Sequence, residues 1–421
     1  MGNSKKSMFK VGVGYSMASS LSTICAMLIG FLNMRWLGPE LLGIWQSLTI
    51  INAYLPILQI GIQSGLNLEL PIAIGARKKS KARKFVSTAL FFAIVLALAL
   101  FIVAAIVVVI MICKHFDEKY ILGVGAVSII AICSCFRLHY IATYRSANAF
   151  DKLTKIYLFD CVVSVVLIYF IYHYGYFGLL LYHVVEYVVL TALLFVFAPY
   201  RGVLPNFHKY YFFSLLKRGI FMTIYNQIKS IIQSVPKLVL LKFGGTILVG
   251  LFNPVIAVGS CMNMIPTQVA QFLHPQMGLK YGQSRHAIDL WKYLKTLSLL
   301  VPLVMIPVAI VGWYITPYVM TYFFPKYVDS IRPIQIMLIG YVFSSSYLTR
   351  GFLITIKAYV RVLFLICIDL LLFVCFPLLI INLRGGNVMV GLSIGMSIGY
   401  VISYVLNFFI VWKTIQLKQY N

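Results

Sequence analysis

The sequence predicts an all-α polytopic membrane protein of about twelve transmembrane helices in two pseudo-symmetric six-helix bundles. Three observations carry this: a composition poor in charge, a series of apolar stretches long enough to span a bilayer, and an internal repeat. Of 421 residues, 61% are apolar and 11% charged, against about 45–50% and about 25% in a soluble globular chain. That composition argues against a soluble enzyme. The net charge of +25 would point to nucleic acid in a soluble protein, but basic residues also collect in the cytoplasmic loops of membrane proteins. No nucleic-acid partner is expected.

A helix crossing about 30 Å of hydrocarbon needs about 20 mostly apolar residues. Such stretches cover residues 8–33, 41–67, 85–112, 120–143, 156–173, 177–198, 219–241, 246–272, 296–322, 333–355, 362–382 and 388–412. The first is too long for a signal-peptide core and lacks a small-residue cleavage site, so it is expected to be retained. With these spans, 25 of the 35 Lys and Arg residues fall on one side, including the run Arg77 to Lys84 (RKKSKARK), and seven on the other. That bias places both termini in the cytoplasm. The eight cysteines lie in or beside apolar runs and read as packing residues. The seven histidines have no zinc-ligand spacing, and no metal or cofactor is expected.

Residues 35–46 (RWLGPELLGIWQ) align with 242–253 (KFGGTILVGLFN), and Ala149, Phe150, Lys152 and Asp160 align with Ala358, Tyr359, Arg361 and Asp369. Offsets of 207 and 209 at two distant places argue for duplication of a six-helix unit. The expected organisation is a bundle over 1–198, a cytoplasmic linker over 199–218 and a second bundle over 219–421. Parallel repeats of this kind build transporters that hold substrate near mid-membrane.

Polar side chains inside spans are costly and mark partners or a wet lumen. In the second span Asn52, Gln59, Gln63 and Asn67 fall on one helical face, and Asn263, Thr267 and Gln271 match the last three at an offset of 204. Interhelical hydrogen bonding explains any single amide equally well. The seventh span aligns Asn226, Lys229, Ser230, Gln233 and Lys237, and the fourth carries Arg137. Together these point to an internal site that prefers anions, with snorkelling of each cation to the interface as the alternative. Candidate ion-coupling carboxylates are Glu69, Asp160, Glu186 and Asp369. Lys155 or Arg361 could pair with the two aspartates, whereas Glu186 lies near mid-span, where water access decides whether a carboxyl group holds its proton. Prolines in spans two, seven and eight predict bends there.

The element LGPExxGxW at 37–45, followed by a polar second span and a basic loop, resembles the polysaccharide-transport branch (Wzx-type oligosaccharide flippases) of the multidrug/oligosaccharidyl-lipid/polysaccharide (MOP) exporter superfamily. That resemblance implies a MOP/MATE-like fold in a bacterial inner membrane. It also implies translocation of undecaprenyl-pyrophosphate-linked oligosaccharide by alternating access through a cationic cavity, with a proton or sodium gradient as the energy source. Its implied partners are the lipid-linked oligosaccharide, membrane lipids, a glycan polymerase and chain-length proteins. Because the first span has no charge between Lys10 and Arg35, cation recognition would rest on the fourth and seventh spans. The competing readings are a multidrug or organic-ion exporter of the same superfamily and, less well supported, a membrane glycan polymerase. The longest outer loop, about 323–333, offers one Asp and no room for a sugar-binding domain. No Walker-type loop supports ATP coupling.

Overall fold

The computed structural model describes residues 2–419 except 148, 265, 268, 270–286, 356 and 357. Among these it is helical throughout, with no strand. The helices are α1 (Gly2–Leu48), α2 (Leu55–Leu58), α3 (Ile62–Gly75), α4 (Lys79–Cys113), α5 (Glu118–Ser146), α6 (Phe150–Val196) and α7 (Lys209–Leu251). They continue as α8 over 253–264, α9 (Ala287–Phe323), α10 (Ile331–Val342), α11 (Tyr347–Thr355), α12 (Tyr359–Arg384) and α13 (Val388–Gln419). Eight helices among the described residues are long and apolar enough to cross a membrane. Three of the eight, α1, α6 and α7, each join two helices across a glycine, at Gly38, Gly175 and Gly245, and the expected tenth span is divided between the shorter α10 and α11; together these account for the twelve.

The repeat is written into the backbone. Gly38 (φ 75°, ψ 173°) and Gly245 (φ 67°, ψ −162°) occupy equivalent positions and adopt nearly the same conformation, one a side chain would strain. The second half of the repeat behaves alike. Ala149 (φ −84°, ψ 44°) and Ala358 (φ −83°, ψ 54°) precede the first residues of α6 and α12. Their amides donate to Tyr144 O at 3.0 Å and Leu353 O at 2.8 Å, again 209 residues apart.

The second span is not one helix. It breaks into a 3₁₀ turn at Thr49–Tyr54, the single turn α2, and α3. Pro56 has no amide proton to continue the ladder, and Gly61 caps α3 with φ 89°. Asn52 and Gln59 therefore do not share a continuous helical face with Gln63 and Asn67. The seventh span stays helical through Pro236, and α7 departs from helical dihedrals only beyond it, at Gly245. Span ten is interrupted by a 3₁₀ turn at Phe343–Ser346. Side chains fix two other starts: Asp117 accepts from Lys119 N at 3.0 Å before α5, and Asn387 from Met389 N at 3.0 Å before α13.

Two compact units comprise Met1–Leu37 with Ile44–Gln227, and Gly38–Gly43 with Ile228–Asn421. The boundary thus falls inside α7, and residues 209–218 already belong to that helix. Unit 1 packs Ile62, Leu66 and Leu70 of α3 against Phe85 and Ala89 of α4, Ala142 of α5 and Leu215 of α7. A second cluster joins Tyr144 of α5 to Leu153, Ile156, Leu190 and Leu194 of α6. Outside this core α4 exposes Leu98, Phe101, Ile102, Ile106 and Val109. Such a face fits hydrocarbon, not water. In unit 2, Gly43 and Gly250 bring backbone against backbone: a Cβ on Gly43 would fall on Thr246 O, and one on Gly250 on Pro39 O.

Candidate functional site

In unit 1 the fold gathers three of the sequence-selected charges. Asp160 of α6 is buried, its Oδ1 has no hydrogen-bond partner, and it lies within electrostatic reach of Glu186 and Arg137. The Arg137 guanidinium sits 5.3 Å over the Tyr187 ring. His183 Nδ1 is 3.6 Å from Glu186 Oε2, and its ring stacks on Trp45 at 4.8 Å. Asp160 and Glu186 reach one another because α6 folds back at Gly175. Arg137 thus has both an aromatic face and the Asp160 carboxylate in its surroundings.

The equivalent aspartate in unit 2 is in a different state. Asp369 is ion-paired to Arg350 Nη2 and accepts from Ser403 Oγ at 2.7 Å. Arg350 Nε donates to Asn407 Oδ1 at 2.8 Å, and Asn407 Nδ2 donates to Ser403 O at 2.6 Å. Neither expected partner, Lys155 or Arg361, is the one used. At the offset of 209 the counterpart of Arg350 is Ile141, so Asp160 has no guanidinium from that position. One half of the duplication thus pairs its carboxylate within a hydrogen-bonded network, and in the other the buried Asp160 keeps an Oδ1 with no hydrogen-bond partner. Glu69 also loses its independence: Arg218 Nε lies 2.9 Å from its Oε1.

These spatial relations stand beside sequence and fold similarities. The family described as polysaccharide biosynthesis protein matches residues 32–332, well over half of the chain. The chain belongs to that family. Its fold is shared with an inward-facing multidrug resistance MATE family transporter of the MOP superfamily, at 16% identity over 95% of this chain and 96% of that one, TM-score 0.81. An outward-facing MATE family transporter of the same superfamily matches at 17% identity over 98% and 97%, TM-score 0.72. A MOP superfamily transporter from Pyrococcus furiosus, described as having a binding pocket of reverse polarity that suggests a different function, matches at 16% identity over 98% and 96%, TM-score 0.66. No curated protein sequence matches. The polysaccharide-transport resemblance and the MOP/MATE-like fold are thereby borne out, in a multi-pass membrane protein.

The amides of this polysaccharide-family chain divide by environment. Gln59 is buried and meets the Cys135 thiol of α5, while Gln63 Nε2 donates to Ala89 O of α4 at 3.3 Å. Both bind helices of unit 1 together instead of lining an open face. Asn67 is exposed and donates to Gln63 O at 3.2 Å. Asn52 is half-buried, with its Oδ1 lacking a partner. On α7, Asn226, Lys229 and Gln233 are exposed and Lys237 is half-buried. Asn263 is half-buried on α8, with Thr267 bonded to its carbonyl at 2.6 Å. Gln271 lies outside the described residues. Sequence reasoning missed His183, Trp45 and Tyr187, which surround the carboxylates, and Arg350, which looks like an ordinary loop-side cation until its network is seen. It also missed the contact between Ser64 Oγ and Thr223 Oγ1 at 2.9 Å, which ties α3 to α7.

Proposed function

We propose that the chain is a flippase that carries undecaprenyl-pyrophosphate-linked oligosaccharide from the cytoplasmic to the outer leaflet of a bacterial inner membrane by ion-coupled alternating access. The observation that carries the reading is the polar stripe of α7, with Asn226, Lys229 and Gln233 exposed, in a chain of the polysaccharide biosynthesis family. A pyrophosphate and several sugars cannot cross hydrocarbon unaided, whereas a polyprenyl tail can stay in lipid. Lys229 and Lys237 would meet the pyrophosphate, and Asn226 and Gln233 the sugars.

Asp160 with Glu186 is the proposed coupling site, since Asp369 and Glu69 are already neutralised by Arg350 and Arg218. One elementary charge moving through 100 mV supplies about 2.3 kcal/mol, so a few protons or sodium ions suffice to reset such a cycle. Both termini are assigned to the cytoplasm by the basic-loop bias. A multidrug exporter remains the second reading, favoured by the acidic pair at Asp160 and Glu186, which suits an organic cation; a drug-resistance assay separates the two.

Depletion in the native bacterium is expected to make lipid-linked glycan accumulate on its cytoplasmic side. Normal delivery of that intermediate to outer-leaflet enzymes would sink the flippase reading. Of the two lysines, Lys237→Ala is expected to impair export more than Lys229→Ala, because a half-buried ammonium is held in place where an exposed one is solvated. Wild-type export by both variants would return these lysines to a purely interfacial role.

A further inference from the structure

Unit 1 contains a second feature, remote from the Asp160 cluster in chemistry and composition. A cavity of about 670 Å³ lies between α4, α5 and the second half of α6. Its walls are apolar, with Leu90, Phe136, Val188 and Phe195 among them. Val188 and Phe195 are largely exposed, so the chamber opens on the flank that unit 1 turns to hydrocarbon. At one end it is bounded by Arg201 and by Tyr200 and Val203. The last two also line an adjoining cavity of about 640 Å³, whose other walls include Arg77, Lys79 and Arg83. No carboxylate is among the lining residues of either chamber.

Two further observations make this a built site. Ser87 Oγ of α4 donates to Leu204 O at 2.6 Å, pinning the segment that separates the chambers. His139, 1% exposed, lines the apolar chamber with an Nδ1 that has no hydrogen-bond partner. A buried polar atom left unpaired is destabilising, and a ligand with an acceptor at that depth would satisfy it. An apolar chamber joined to a cationic one fits an amphiphile with an anionic head. A soluble anion gains nothing from the apolar walls, and a zwitterionic or cationic amphiphile gains little from three or four cations.

We propose that unit 1 binds one anionic phospholipid, its acyl chains in the apolar chamber with an ester carbonyl accepting from His139 Nδ1–H, and its phosphate against Arg77, Lys79 and Arg83, with Arg201 at the junction. This lipid is distinct from the transported cargo, and the proposal does not depend on the flippase reading. By the basic-loop bias the site lies at the cytoplasmic leaflet.

Native mass spectrometry of the full chain in neutral detergent tests it, with phosphatidylglycerol, phosphatidylcholine, undecaprenyl phosphate and inorganic pyrophosphate as probes. Phosphatidylglycerol is expected to remain bound in preference to phosphatidylcholine. Ala192→Trp, which fills the apolar chamber from an exposed position, and the exposed triple change Arg77→Gln, Lys79→Gln, Arg83→Gln should each weaken it about tenfold or more. Unchanged phosphatidylglycerol binding by both variants would overturn the proposal. Equally tight pyrophosphate, insensitive to Ala192→Trp, would reduce the site to one for soluble anions. Preference for undecaprenyl phosphate over phosphatidylglycerol would reassign the site to the cargo and overturn the structural-lipid claim.

Discussion

Replacing Arg350 with methionine is expected to cost the folded chain about 3–5 kcal/mol, the usual penalty for stranding one member of a buried ion pair. Asp369 is only 4% exposed, and its remaining partner would be the Ser403 hydroxyl at 2.7 Å. Asn407 would lose the guanidinium its Oδ1 now accepts from. The double change Arg350→Met, Asp369→Leu should regain most of the loss, because it removes both charges instead of isolating one. Asp160→Asn should hold or raise stability, since its Oδ1 has no hydrogen bond to lose. Unfolding in detergent by denaturant titration measures all three. If Arg350→Met unfolds like the wild type, Asp369 is solvated and the contrast between the two halves disappears.

Gly43→Leu is expected to cost at least about 3 kcal/mol, at or beyond the upper end of ordinary overpacking, because the obstacle is backbone and cannot change rotamer. Its Cβ would lie on Thr246 O, and the equivalent glycine, Gly250, meets Pro39 O in the same way. Small residues let membrane helices approach this closely, and the dispersion contacts so gained replace the hydrophobic drive that lipid removes. Gly30→Ala is the matched control: nothing lies within 4 Å of its added Cβ, and alanine is the better helix former. Melting temperatures in a single detergent compare the variants. A Gly43→Leu protein as stable as Gly30→Ala would show that the close approach is dispensable.

Much of the fold was legible in the sequence because the bilayer imposes a length and a hydropathy on every span. The duplication was legible for the same kind of reason: glycine at 38 and 245 and alanine at 149 and 358 mark backbone conformations that both copies must adopt. The interior of the second span was not. Periodicity assigns a face to Gln59 and Gln63 only if the helix is unbroken, and the break between Leu48 and Ile62 turns both toward α5 and α4. The candidate site was legible as a list of costly side chains, among them Arg137, Asp160, Glu186 and Asp369. Which of them are compensated was hidden, because a carboxylate's partner need not come from its neighbours in the chain.

Sequence alone determined the membrane class, the twofold repeat, the basic-loop bias and the membership of Asp160 and Asp369 in equivalent places. These depend on composition and on spacing along one chain. Only the tertiary structure decided that Arg350 reaches Asp369 across a helix break and that Ile141 leaves Asp160 without such a guanidinium. It alone set apolar and basic chambers side by side on α4. Such outcomes depend on which side chains meet when separate helices pack, and on whether a charge removed from water finds its counter-charge there.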